Sequence, residues 1–212
     1  MYVSVRNVLR QLVVAAVIAV FVMIPVANAD TLEVDQSVVD CTSGMFAVGG
    51  YPKPQNVPDG YVPIETPGGI FFWQKGGYTK GQTTGAENLV KAVDAYAAAC
   101  PEAPIFIRGH SYGAAIVHTA LETIDKRPYA SRVTVNVTGN PRNPGGIEDL
   151  FSGSASLGVQ FRGEGIIPEN VLGFESECNK NDGICDLPPM STNSLGFGSG
   201  IIGYFTGAHR YN

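Results

Sequence analysis

Basic residues are few and nowhere clustered: the chain carries 14 Lys and Arg against 19 Asp and Glu in 212 residues. A nucleic-acid partner needs a basic face, so that class is excluded. Charged residues of both signs make up only 16% of the chain, while Gly reaches 26. That balance suits a compact folded domain better than a disordered tail. A run long enough to span a bilayer is also lacking. The longest apolar stretch, Leu12 to Ile24, has 13 residues, against roughly 20 for a membrane-spanning helix. Arg6 and Arg10 precede it, Pro25 ends it, and Ala27-Asn28-Ala29 supplies the small residues of a cleavage site. Residues 1–29 are therefore expected to be a signal peptide cut after Ala29, leaving a secreted or cell-envelope protein. The remaining segment, residues 30–212, is expected to fold as one domain with a sizeable core. Losing two Arg leaves 12 basic residues against 19 acidic ones, a net charge of −7.

Metal-site patterns are missing too. The four cysteines, Cys41, Cys100, Cys178 and Cys185, include no CxxC pair, and the three histidines do not stand at ligand spacing from them. Asn179 to Gly183 resembles a calcium loop only in passing: aligning its Gly at loop position 6 puts Lys180 and Cys178 at ligand positions. An even cysteine count in an oxidising compartment predicts two disulfides, with three pairings open.

Strand-like and helix-like segments alternate, which predicts an α/β fold around a mostly parallel sheet. Met45 to Val48, Ile70 to Trp73, Ile105 to Arg108 and Val133 to Val137 have the apolar, β-branched content of interior strands. Leu89, Val90, Val93, Ala97 and Cys100 form a stripe of helical period, predicting a helix over Ala86 to Ala99 that Pro101 stops. A second helix is expected from Gly113 to Ile124. Pro141 to Gly165, rich in Gly, Ser and Pro, is expected to be a surface excursion with a short helix at Ile147 to Phe151.

Gly109-His110-Ser111-Tyr112-Gly113 is a GxSxG pentapeptide, preceded by the β-rich Pro104 to Arg108 and followed by the helix-compatible Ala114 to Leu121. That strand–turn–helix setting holds a nucleophilic Ser on a strained elbow with its Oγ exposed. The glycines are expected where any Cβ would meet neighbouring backbone. A serine needs a base, normally His, oriented by a carboxylate. His110 sits inside the elbow, its side chain expected to point away from the site. His118 lies about two helical turns beyond Ser111, too far to take its proton. His209 remains, and it follows the chain order nucleophile, acid, histidine. Among the carboxylates between Ser111 and His209, Asp182 stands out because it lies between Cys178 and Cys185. If those two pair, the short loop fixes the carboxylate in place. Asp186, just outside that span, is the runner-up.

These residues resemble two related families. Cys178-Asn-Lys-Asn-Asp182-Gly-Ile-Cys185 has the form of the cutinase loop that carries the catalytic acid, and Cys100-Pro101 is similar to the Cys-Pro pair before the cutinase elbow. The resemblance implies a cutinase-like α/β-hydrolase fold, with Cys41 paired to Cys100 and Cys178 to Cys185. The second likeness, to the PE-PPE-domain serine esterases of mycobacteria, runs from about Cys41 to Pro188. Gly139-Asn140-Pro141 through Gly145-Gly146-Ile147, Asp182-Gly183-x-x-Asp186-x-Pro188 and Gly49-Gly50-Tyr51-Pro52-Lys53-Pro54 each look like a segment of that family. The elbow departs from both: His110-Ser111-Tyr112 stands where Tyr-Ser-Gln is usual, and Gly50 replaces a common Thr or Ser. Asp182 and His209 are also further apart than in most cutinases.

The expected chemistry is hydrolysis of carboxylic esters through an acyl-enzyme. Ser111 attacks, His209 moves the proton, and Asp182 fixes the imidazole tautomer. Backbone N–H groups of Tyr112 and of Gly50 or Tyr51 are expected to meet the oxyanion. No cofactor or metal enters this scheme. Phe71, Phe72, Trp73 and the region from Leu195 to Phe205 are apolar enough to line an acyl pocket, which points to short or medium acyl esters or envelope lipid esters. The competing expectations are a mycolyl-type envelope esterase and a hydrolase-fold envelope-binding protein without turnover. A monomer with peripheral contact to envelope lipid is the expected state.

Overall fold

A computed structural model describes residues 40–51, 57–67, 77–156 and 159–211. Residues 1–29, expected as a signal peptide, and residues 70–73, expected as a strand and as pocket aromatics, lie outside them. The elements in chain order are β1 (Gly44–Val48), β2 (Val62–Pro63), α1 (Gly77–Ala99), β3 (Ile105–His110) and α2 (Tyr112–Ile124). Then follow β4 (Val133–Thr138), a one-turn α3 (Ile147–Leu150), β5 (Ala155–Ser156), β6 (Val159–Gln160), β7 (Gly173–Glu177) and α4 (Ser194–Thr206). Strands β2-β1-β3-β4-β7 form an open sheet, parallel throughout, while β5 and β6 make a small antiparallel pair.

Alternation along the strands decides which face is dry. Ile105 and Ile107 of β3 and Val133, Val135 and Val137 of β4 are buried, whereas Phe106 is exposed and Arg108, Thr134 and Asn136 are half-buried. Helices α1 and α2 pack together over the buried face, with Leu89, Val93, Ile116, Leu121 and Ile124 removed from solvent. Each such fully buried side chain contributes roughly 2 kcal/mol. Because the strands are parallel, the Ser111 elbow at the C-terminal end of β3 lies at the carboxyl ends of the sheet, where open α/β sheets bind ligands.

Helix α1 starts nine residues before its expected onset. Gly77, Gly81 and Gly85, four residues apart, lower helix propensity by about 1 kcal/mol each, and this masks the pattern. Packing outweighs that cost: a Cβ on Gly81 would lie 2.5 Å from Pro67 O and from Tyr112 Oη. Strand β7 and helix α4 have no counterpart in the sequence expectations. β7 is a polar edge strand, and α4 owes its glycines to contact with the loop described below.

The excursion expected over Pro141 to Gly165 is corrected by burial. Asn140 and Glu148 are wholly buried, Arg142 is 4% exposed, and Ile147, Phe151, Val159 and Phe161 belong to the core. These polar groups are tolerated inside because each finds hydrogen-bond partners. Asn140 Nδ2 donates to His118 Nδ1 and to Asn143 Oδ1, each at 3.0 Å. Arg142 donates to Gly163 O, Thr119 Oγ1, Glu164 O and the carboxylate of Glu122. Glu148 accepts from Tyr78 Oη at 2.6 Å, Gln82 Nε2 at 3.2 Å and Arg162 N at 3.1 Å.

Both disulfides implied by the cutinase likeness are formed. Cys41–Cys100 ties the approach to β1 to the end of α1 across 59 residues, and Cys178–Cys185 closes a loop of separation 7 after β7.

Candidate active site

Ser111 occupies the single residue between β3 and α2, with φ 56° and ψ −121°. This is a sparsely populated backbone region for a residue with a side chain, held here by the surrounding structure. The Ser111 N–H donates to Thr138 O at 2.9 Å, and its carbonyl accepts from Ala114 N at the start of α2. Gly113 permits the turn: a Cβ there would overlap the carbonyl oxygens of Val48 and Gly49 at the end of β1. Gly50 lies against the elbow, where a Cβ would come 3.4 Å from Ser111 Cβ and 3.0 Å from His110 Cδ2.

Asp182 is completely buried inside the Cys178–Cys185 loop. Its Oδ2 lies 2.7 Å from His209 Nδ1 and accepts from Tyr211 Oη at 2.7 Å, while Oδ1 accepts from Ile184 N at 3.0 Å. Burial pushes this carboxyl up, but the bonds from His209, Tyr211 and Ile184 outweigh it and hold it below its ordinary value. An ionised acceptor at Nδ1 places the His209 proton on that nitrogen, leaving Nε2 as the basic lone pair. Nε2 is buried and has no hydrogen-bond partner among the described residues.

His209 follows α4 directly, and its ring is held between those of His110, at 5.0 Å, and Tyr204, at 5.2 Å. Gly139 makes room for it, since a Cβ at that position would stand 2.6 Å from His209 Cε1. The glycines of α4 bring the helix onto the disulfide loop: a Cβ on Gly203 would overlap Asn181 O, and one on Gly183 would meet Gly200 O at 2.5 Å. The loop and the helix therefore pack directly on each other, and they carry the two members of the Asp182–His209 pair.

A family model for cutinase matches residues 72–198, more than half of the chain. The chain belongs to the cutinase family. It is thus a carboxylic ester hydrolase by family. No curated protein sequence gives a significant match. Among solved structures, a cutinase-like protein from Cryptococcus sp. is similar at 17% identity and TM-score 0.45, covering 79% of this chain and 94% of its own. An acetyl xylan esterase is similar at 18% identity and TM-score 0.49, over 79% and 95% respectively. Lysin B from Mycobacteriophage D29 is similar at 18% identity and TM-score 0.42 over 65% of this chain, which spans 64% of the lysin's length.

In this member of the cutinase family, Asp182 and His209 come together, and Ser111 stands on its elbow beside Gly50. No hydrogen bond joins Ser111 to His209. Asp186 is exposed, away from the pair. Tyr112 begins α2 next to Ser111, its hydroxyl donating to Tyr78 O at 2.8 Å, and Tyr51 is half-buried. His110 does not point away as expected. Its ring is buried beside His209, with Nδ1 3.0 Å from Thr138 Oγ1. Burial, reinforced by the neighbouring His209 and opposed by Asp182, lowers it to about 4, so it is neutral at physiological pH. His118 is a packing residue, stacked on Phe174 and lowered to about 4 by burial and by Arg142. Sequence reasoning assigns no site role to Tyr204 and Tyr211, which touch the pair, or to Asn179, which bonds Tyr211 and the backbone flanking His209.

Proposed function

We propose that this protein is a secreted serine esterase in which Ser111, His209 and Asp182 form the catalytic triad. The observation that carries this reading is the 2.7 Å contact between a fully buried Asp182 carboxylate and His209 Nδ1, with the His209 ring 5.0 Å from that of His110, the residue before the strained Ser111. Ser111 Oγ attacks the ester carbonyl as His209 Nε2 takes its proton. The same imidazole then protonates the leaving alkoxide, and water repeats the sequence on the acyl-enzyme. The tetrahedral oxygen is met by backbone N–H of Tyr112, at the positive end of α2, and of Gly50 or Tyr51.

The substrate is a short or medium acyl ester, or a lipid ester of the cell envelope. Support comes from α4, which enters the site ahead of His209 and leaves Leu195, Ile202 and Phe205 exposed. Those three positions share one helical face, and no charged residue occurs from Leu187 to His209. The likeness to PE-PPE-domain esterases agrees with an envelope substrate, and the two disulfides agree with export through the signal peptide of residues 1–29, leaving residues 30–212 as one domain. Hydrolysis of chromogenic acyl esters of increasing chain length, by wild type and Ser111→Ala, tests the reading. Turnover lost in Ser111→Ala supports it; full turnover in that variant sinks it.

One observation favours a second reading, an envelope-binding protein without turnover: the unpartnered Nε2 of His209. Serine-directed labelling separates the two.

A further inference from the structure

Two residues outside the triad control how Asp182 meets His209. Tyr211 Oη donates to Asp182 Oδ2 at 2.7 Å, the same oxygen that pairs with His209 Nδ1, and accepts from the Asn179 N–H at 3.0 Å. A hydroxyl with one bond given and one received cannot rotate away. Asn179 belongs to the disulfide loop, and its Nδ2 donates to Ala208 O at 2.9 Å and to Arg210 O at 3.0 Å. It therefore grips the backbone on both sides of His209. The Tyr211 ring also meets the rings of His110 at 5.6 Å and His209 at 6.0 Å, both edge-on.

We propose that Tyr211 is a positioning residue for the esterase reaction, sharing the Asp182 carboxylate with His209, and that Asn179 locks the two in register. The inference rests on the triad reading above. The phenol does two things there. It takes up part of the negative charge on Oδ2, and it fixes the carboxylate plane so that the remaining lone pair is aimed at Nδ1. Asp182 and His209 are far apart in the chain, with α4 between them, and the Asn179 side chain adds two hydrogen bonds to the backbone flanking His209 beyond the packing of α4 on the loop.

The test compares wild type, Tyr211→Phe and Asn179→Ala by steady-state hydrolysis of a soluble chromogenic ester across pH, with fluorophosphonate labelling of each. Tyr211→Phe keeps the ring and removes one charge-assisted bond, so kcat/KM should fall about tenfold with KM unchanged. The acid limb of its profile should also move to higher pH, because the unshared charge on Asp182 holds a proton on the Asp182–His209 pair for longer. Asn179→Ala should lower kcat and leave the acid limb in place. A Tyr211→Phe profile that overlays wild type in both height and position overturns the proposal. If that variant does not fold, an unchanged kcat in Asn179→Ala overturns it instead. A wild type that neither turns over nor labels removes the triad reading and this proposal together; a wild type that turns over beside an identical Tyr211→Phe removes the proposal alone.

Discussion

The Asp182 carboxylate and the His209 imidazole, 27 residues apart in the chain, meet at 2.7 Å with the carboxylate wholly out of solvent. Two structural devices bring this about. The Cys178–Cys185 bridge fixes the carboxylate, and the glycine face of α4 lays the helix that delivers His209 directly on the same loop. Asp182 and His209 are therefore mounted on one body, while Ser111 is mounted on another, the β3–α2 elbow.

Asp182 and Asp186 are four residues apart and differ completely in setting, one buried against His209 and the other exposed. Asp182→Asn should lower kcat by roughly 10³- to 10⁴-fold, since the amide favours the wrong imidazole tautomer. Asp186→Asn should stay within about twofold of wild type. Parallel kinetics on the two purified variants check this, and a reversed order assigns the acid to Asp186.

The two disulfides should separate stability from activity. Removing Cys41 and Cys100 by alanine substitution should cost about 4 kcal/mol, because the bridge closes a long loop, and leave kcat intact in the fraction that folds. Removing Cys178 and Cys185 should cost about 2.5 kcal/mol and lower kcat much more, because the loop carries both Asp182 and the Asn179 contacts to the His209 segment. Urea melts paired with kcat values read both effects. Equal kcat losses for the two deletions would contradict the positioning role of the smaller loop.

Acid sensitivity follows from Asp182. Burial raises its carboxyl, and the bonds from His209, Tyr211 and Ile184 more than offset this, so the folded-state value lies below the ordinary one of 3.8. A carboxyl lowered by folding contributes stability that is fully present above its unfolded value and is lost as pH falls through the folded one. Melting temperature in wild type should therefore drop on acidification below pH ~4, and the drop should be shallower in Asp182→Asn. Identical slopes would show that another group carries the acid transition.

Much of this arrangement was legible from local signals. The Ser111 elbow announces itself because its glycines, its leading strand and its following helix are all contiguous. Asp182 is marked by its two flanking cysteines, and His209 by chain order and the scarcity of histidine. What stayed hidden depends on partners far along the chain. Tyr211 and Asn179 look like ordinary surface polar residues until residues 179 and 208–211 meet. Asn140, Arg142 and Glu148 sit in a Gly- and Pro-rich stretch of surface composition, and hydrogen bonds to partners such as Asn143, Thr119 and Arg162 N make their burial tolerable. The first turns of α1 were concealed by the very glycines that let it approach Tyr112 and Ile116. His110 was misplaced because it ends β3 on the face of Phe106 and Arg108, and the ring that meets it there, His209, arrives from far along the chain.

The most direct test of the central claim is labelling of the oxidised protein by a fluorophosphonate probe, with wild type beside Ser111→Ala and His209→Ala. The triad account predicts one label per wild-type molecule at Ser111, none in Ser111→Ala, and slow labelling in His209→Ala. Wild-type protein that is folded and oxidised yet takes no label would contradict it, and would leave Asp182 and His209 as a structural pair in a binding protein.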